Sequence, residues 1–256
     1  MAKTPDYFQG KTIIITGSGS GVGRQTALIF AREGANVVGL DVNTKGGQET
    51  ADMVSEKGVR NVFIETDITS RPAVQSAVAR AIAEFGSIDF LFNCAGAAFR
   101  RCKFLEIDDG LMERTFDLNV NGTFYTMQEL LPHMLERGQG VIVNVASLAH
   151  KRGGPGASVH YAAAKGAVLS MTLGVGREFA DRGIRCLSIS PASINTPFMT
   201  ASDTSEELLE QFRQGIPMKR FAEPDELGEL VLFMCSDACP YMTADTVYVS
   251  GGSGWR

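Results

Sequence analysis

Four residues in the middle of the chain have the types and spacing to move a proton at an oxygen-bearing carbon. Asn119 lies in Leu-Asn-Val-Asn-Gly, Ser147 follows the apolar run Val-Ile-Val-Asn-Val-Ala, and Tyr161 and Lys165 bound Tyr-Ala-Ala-Ala-Lys. Tyr161 and Lys165 are four apart in a segment with a helical pattern, so they share one face. An ammonium beside a phenol favours the phenolate by charge proximity. A tyrosine that starts near pKa ~10 and acts near pH 7 needs about 4 kcal/mol of such help. Tuned in this way, it takes a proton from an alcohol or gives one to a carbonyl. Each residue by itself is ordinary, since serines end strands and lysines populate helices in most proteins. The case rests on the four together.

A second motif supplies what such a tyrosine needs beside it. Residues 12–23 read Thr-Ile-Ile-Ile-Thr-Gly-Ser-Gly-Ser-Gly-Val-Gly, an apolar strand running into a glycine-rich turn. A helical pattern then begins at Arg24, Ala27, Leu28 and Ala31. Glycines there let the backbone turn tightly and approach a pyrophosphate, while the helix N-terminus supplies N–H donors and a positive dipole end. A lone glycine-rich turn is a weak signal; this one follows a strand and opens a helix in a βαβ unit.

The elements that must hold these residues alternate along the chain. Apolar runs predict strands at Thr12–Thr16, Asn36–Asp41, Asn61–Thr66, Ile88–Asn93, Val141–Ala146, Arg185–Ser190 and Thr246–Val249. Helical patterns fall near 22–33, 44–57, 70–85, 109–137, 158–181 and 223–236. Runs rich in Ile, Val and Leu suit parallel strands buried on both faces. The alternation predicts an α/β fold, a doubly wound parallel sheet of about seven strands with helices on both faces, over one domain covering 1–256. Residues 192–217 break the pattern, with a short helix at Glu206–Arg213. An insert at the C-terminal edge of such a sheet is where a substrate lid would sit.

The ordered set Thr16-Gly17-x-x-x-Gly21-x-Gly23, Asp67, Asn93-Cys94-Ala95-Gly96, Asn119, Ser147, Tyr161-x-x-x-Lys165, Pro191 to Thr196 and Gly251-Gly252 resembles the short-chain dehydrogenase/reductase family in its single-domain form. The resemblance runs from Lys11 to Gly252. It implies an oxidoreductase that interconverts a secondary alcohol and a ketone. Tyr161 would be the general acid/base, Ser147 the donor to the substrate oxygen, Lys165 the partner of Tyr161 and of the nicotinamide ribose, and Asn119 the holder of a relay water. Gly17, Ser20, Gly21, Val22 and Gly23 would cradle the cofactor's pyrophosphate. Asp67 and Ile68 would flank the adenine, with Asn93, Ala95 and Gly96 ending the fourth strand; Asn93 also reads as a residue that ties the sheet to its neighbours. Pro191, Ile194 and Thr196 would hold the carboxamide end. The resemblance also implies a homotetramer built on the helices near 109–137, 158–181 and 223–236.

Asp41 points to the cofactor type. It ends the second strand, 18 residues after Gly23, where a carboxylate accepts hydrogen bonds from the adenosine ribose hydroxyls of NAD. A 2′-phosphate about 5 Å away would be repelled by roughly 1.5 kcal/mol even in water-like surroundings. No basic residue follows Gly17 directly, and Lys45 is the nearest cation after the strand. The expected cofactor is NAD. The alternatives are an NADP-preferring ketone or 3-oxoacyl reductase, or a non-catalytic NAD-binding scaffold. Two departures from the family pattern bear on the site. Pro191 is followed by Ala192 where glycine is usual, and Ser147 and Tyr161 are 14 apart, one more than in many relatives.

Composition narrows the partners. Apolar residues make up 44% of the chain and charged ones 21%, as in soluble globular domains. A net charge of −5 gives no reason to expect nucleic acid or an anionic membrane. No apolar run is long enough to span a bilayer, and the N-terminus lacks a signal-peptide core. The five scattered cysteines suit a reducing, cytoplasmic setting. Cys235 and Cys239 read as small buried residues rather than metal ligands, and no metal is expected. Arg100 and Arg101 follow the fourth strand, and His150, Lys151 and Arg152 follow Ser147. They fit either solvated loop charge or the recognition of an anionic group on the substrate.

Overall fold

The computed structural model describes residues 2–155, 158–197 and 205–255. Seven strands form one sheet in the order β3-β2-β1-β4-β5-β6-β7, every pairing parallel. They are β1 (Thr12–Thr16), β2 (Asn36–Asp41), β3 (Asn61–Glu65), β4 (Phe90–Asn93), β5 (Gly140–Val145), β6 (Ile184–Pro191) and β7 (Asp245–Val249). The helices between them include α1 (Gly21–Arg32), α2 (Thr44–Ser55), α3 (Arg71–Phe85), α4 (Asp109–Phe116), α5 (Gly122–Arg137), α6 (Ala149–Arg152) and α7 (Val159–Glu178). Two more follow β6, namely α8 (Glu206–Gly215) and α9 (Pro224–Cys235).

Alternation along the strands splits the core into two layers. Ile13 and Ile15 of β1 and Phe90 and Phe92 of β4 pack with Phe8, Phe30 and Val231 on one face. Ile14 and Leu91 pack with Leu40, Val74 and Met127 on the other. Strands buried on both faces explain why β1, β4 and β5 read as continuous apolar runs.

Chain order reverses between β1 and β4, the topological switch point where ligands bind doubly wound sheets. The opposite, amino-terminal edge is closed by a partly buried ion pair. Asp89 accepts the Thr12 N–H at 2.9 Å and pairs with Arg137 at 2.9 Å, while Arg137 also donates to the Ile88 carbonyl at 2.8 Å. That clamp fixes the strand bottoms and leaves the carboxyl ends to the site.

Element boundaries differ from the sequence expectation in three instructive places. The helix expected over 109–137 is interrupted by a π-helical segment, Asp117–Asn121, which carries Asn119. Single π turns inside α-helices mark functional sites often enough to be informative, and neither spacing nor propensity announces them. Strand β4 starts at Phe90 rather than Ile88; the Ile88 carbonyl and N–H are taken by the side chains of Arg137 and His133 instead of by neighbouring strands. A short helix, α6, follows Ser147 where a loop was expected. The expected helix Glu206–Arg213 forms and extends to Gly215. Of the expected lid, 198–204 lie outside the described residues.

Candidate active site

A cavity of about 540 Å³ opens over the carboxyl ends of the strands, within the usual ~300–1,000 Å³ range for ligand sites. Its floor on one side is the turn after β1. Gly17, Ser20, Gly21 and Val22 all line it. Gly17 sits at φ +71° with Ala95 backbone 2.9 Å from where a Cβ would be, so both conformation and space require glycine. Gly23 is not in the wall. A Cβ there would collide with the Gly17 carbonyl, so it lets α1 pack against the turn. Ser20 precedes α1 without capping it by side chain, which leaves the N–H groups of the first turn to the cavity.

Asp41 lines the same end. One carboxylate oxygen accepts Gly19 N–H at 2.8 Å and the other accepts Asn43 N–H at 2.8 Å. Each oxygen keeps lone-pair capacity for a further donor, now held at a fixed position. Arg24 is a contributor that sequence reasoning passes over. Its guanidinium donates to the Gly19 carbonyl at 2.6 Å, the Gly46 carbonyl at 3.1 Å and the Thr50 hydroxyl at 2.9 Å, and pairs with Glu49 at 3.1 Å. It straps the glycine turn to α2. Its only sequence signal was a basic residue just inside a helix N-terminus, where a cation is otherwise unfavourable.

Ala95 and Gly96 end β4 in the cavity wall. Thr16, which sequence reasoning assigned no task, holds them: its hydroxyl oxygen accepts Cys94 and Ala95 N–H, each at 3.1 Å. Asn93 lies elsewhere, buried in the sheet. It donates to Asn144 Oδ1 at 2.9 Å and accepts from Thr126 at 2.7 Å, so it knits β4, β5 and α5 together rather than facing the cavity. Asp67 and Ile68 are also outside the cavity lining. Asp67 closes a local turn by accepting Thr69 N–H at 2.9 Å, and Ile68 is buried against Gly122.

Pro191, Ile194 and Thr196 line the cavity, together with Ala192. Ala192 has no positive φ, and its N–H continues the sheet by donating to Val249 at 2.9 Å. The alanine that replaces the usual glycine therefore causes no backbone strain.

Ser147, Tyr161 and Lys165 meet in the wall. Burial pushes the Tyr161 phenol above the ordinary tyrosine range, while the neighbouring Ser147 hydroxyl pulls it back. The Arg101 guanidinium adds to this pull, and Lys165 Nζ lies 5.7 Å from the ring centre and donates to the Val145 carbonyl at 2.7 Å. Burial pulls Lys165 down to about 8.

Asn119 is fully buried behind the wall. Its amide donates to Ala97 and Thr115 carbonyls at 2.8 and 2.9 Å, and its Oδ1 has no partner among the described residues. A Cβ on Gly96 would lie 2.6 Å from that oxygen and 3.1 Å from Lys165 Nζ. Gly96 is what lets Asn119 and Lys165 approach one another. A buried acceptor without a partner is costly and marks a place for a donor.

A doubly wound parallel sheet, a glycine turn at the switch point and a Ser–Tyr–Lys wall define an oxidoreductase of the short-chain dehydrogenase/reductase family, and the chain belongs to that family. A family model described as enoyl-(acyl carrier protein) reductase matches residues 17–254. The chain is 34% identical to oxidoreductase UcpA of Salmonella typhimurium over 95% of its length and 94% of that protein's. It is also 34% identical to the 3-oxoacyl-[acyl-carrier-protein] reductase FabG of Staphylococcus epidermidis, covering 94% and 98%. Among solved structures, the 3-ketoacyl-(acyl-carrier-protein) reductase of Brucella melitensis complexed with NADH superposes with a TM-score of 0.90 at 32% identity, covering 96% of this chain and 99% of that one. NAD⁺-bound xylitol dehydrogenase does so with 0.91 at 30%, over the same shares.

Proposed function

We propose that this protein is an NAD-dependent oxidoreductase that interconverts a secondary alcohol and a ketone, with Tyr161 as general acid/base. The observation that carries this reading is the convergence of Ser147, Tyr161 and Lys165 in the wall of the cavity that the glycine turn and Asp41 also line. The residues fit a nicotinamide dinucleotide. Gly17 and Gly21 keep the wall free of side chains, the first turn of α1 offers N–H groups, and Asp41 waits at the adenosine end. When bound, the nicotinamide supplies or accepts the hydride.

The chain's own residues do the rest. Ser147 donates to the substrate oxygen and stabilises the charge that develops there. Tyr161 transfers the proton at that same oxygen. Lys165 orients the cofactor's ribose and supplies positive charge near the phenol. Asn119 Oδ1 holds a water through which Lys165 exchanges protons with solvent. Pro191, Ile194 and Thr196 seat the carboxamide end, and Asp67 and Ile68 lie toward the adenine. Gln211 and Phe212 of α8 line the cavity, on the side where a cover over substrate would sit.

The preference for NAD rests on Asp41 and on Arg24. The cation nearest the glycine turn is committed to Gly19, Gly46, Thr50 and Glu49. Lys45 is exposed and outside the cavity wall. The second reading, an NADP-preferring 3-oxoacyl reductase, is supported by the names of several relatives. A non-catalytic scaffold would have no use for an intact tetrad. We place the enzyme in the cytoplasm as a homotetramer. Among the described residues no helix is long and apolar enough to cross a membrane.

The test is NADH formation from NAD across a panel of secondary alcohols. Turnover on some member, abolished in Tyr161→Phe, supports the reading. Turnover that survives in Tyr161→Phe overturns the mechanism.

A further inference from the structure

The five basic residues flanking the cavity are sorted by the fold into two groups. Arg100 turns outward to the Glu106 carbonyl at 3.1 Å and Asp108 at 3.2 Å. His150 binds back to the Ser147 carbonyl, and its ring lies 6.0 Å from that of Tyr248. Lys151 sits 3.8 Å over the same Tyr248 ring. Arg101 and Arg152, by contrast, line the cavity together with Ser147 and Tyr161.

Arg101 is held rather than adrift. It is half-buried, its guanidinium lies 5.3 Å from the centre of the Phe212 ring, and it donates to the Pro155 carbonyl at 3.1 Å. Phe212 and Pro155 are themselves cavity residues. The loop that delivers Arg101 is over-determined. His160, buried beside Tyr161, bonds through Nε2 to the Ala98 carbonyl at 2.9 Å, and Phe99 adopts φ +58°, a strained conformation for an aromatic residue. Arg152 is exposed at the rim. The described charged groups at this end of the cavity are cations, while Asp41 lies at the far, β2 end. A guanidinium partly removed from water beside a reaction site matches an oxyanion in charge and geometry.

We propose that Arg101, assisted by Arg152, forms a subsite for an oxyanion on the substrate, so that the alcohol or ketone turned over here carries a carboxylate, sulfonate or phosphate group. This rests on the dehydrogenase reading for the reaction, and on Arg101 for the substrate class. Carboxylate, sulfonate and phosphate share the recognising chemistry, and the experiment separates them.

The test is calorimetric binding of butyrate, propanesulfonate and propyl phosphate against neutral butyramide, to the protein alone and saturated with NADH. None of the four can react, so the readout is independent of turnover. At least one anion is expected to bind about tenfold or more tightly than butyramide, and the best anion names the group. Arg101→Gln is expected to abolish that preference. Arg101→Lys keeps the charge but loses the fork, and restores only part of it. Arg152→Gln, at the exposed rim, is expected to weaken it less and in a salt-dependent way. Butyramide binding as tightly as all three anions, or a preference that survives Arg101→Gln, overturns the proposal. Oxidation of 3-hydroxybutyrate and 3-hydroxybutyramide is measured separately. Anion preference without NADH formation from any member of the secondary-alcohol panel would refute the dehydrogenase reading only. Equal turnover of both without anion preference would refute the subsite only.

Discussion

At the scale of single residues, burial shifts the protonation equilibria of Tyr161 and Lys165 toward their neutral forms. Tyr161 is pushed toward the neutral phenol by burial. Loss of its hydroxyl in Tyr161→Phe removes the proton route, and kcat is expected to fall by roughly 10²–10⁴-fold with little change in KM. Asp41→Ala removes the acceptor for ribose hydroxyls and the repulsion of a 2′-phosphate. The ratio of kcat/KM for NAD over NADP should drop by at least about tenfold, and an unchanged ratio would refute the NAD assignment. Lys165 carries a pH signature in the cofactor-free protein. Its folded pKa of about 8 lies below the value near 10.5 of a free lysine. Below about pH 8 both states are protonated and the penalty for burying the charge is fully present. Between about 8 and 10.5 the unfolded chain binds the extra proton, so stability rises with pH. Wild type minus Lys165→Met melting temperature should therefore climb across that window, and a flat difference would mean that Lys165 is not buried as seen.

At the scale of elements, the β1–α1 turn shows how backbone geometry fixes the cofactor crevice. Gly23→Ala places a methyl group on the Gly17 carbonyl, with no flexible side chain to yield. Overpacking of this kind costs about 1–3 kcal/mol, which in a chain of this size lowers Tm by roughly 2–10 °C. NAD affinity should fall with it, since α1 must move off the turn; isothermal titration checks this. The strands, the main helices and the glycine turn are legible in the sequence because they repeat apolar periods and place glycine where only glycine fits. The π-helical turn around Asn119 is not legible, because it inserts one residue into an unbroken helical pattern. Within Asn93-Cys94-Ala95-Gly96 a sheet-tying role for Asn93 is legible, but its partners are not. That Asn93 points into the sheet while Ala95 and Gly96 meet the cavity depends on Thr126 and Asn144, far away in sequence. The sorting of Arg100 from Arg101 is likewise a matter of tertiary partners, Asp108 for one and Phe212 for the other.

At the scale of the whole molecule, several apolar side chains on the long helices remain open to solvent. Met112 on α4, Phe124 on α5 and Leu173 on α7 are each more than a third exposed. Helices that remain apolar on their outer faces suit subunit contact, and light scattering should give a mass of four chains; a monomer mass would refute the tetramer. The Asp89–Arg137 clamp lies at the edge opposite the cavity, so Arg137→Met should lower Tm while leaving Kd for NADH unchanged. The strand order has a further consequence, for the chain while it is being made. β2 and β3 follow β1 closely, and the three can pair as soon as they emerge. β1's other neighbour, β4, does not begin until Phe90. Until then Thr-Ile-Ile-Ile-Thr presents an uncharged, β-branched edge whose ladder groups on the β4 side are unpaired. The seam that becomes the cofactor crevice is thus the nascent chain's stickiest surface, and a fragment ending at Phe85 should aggregate where one continued through β5 stays dispersed.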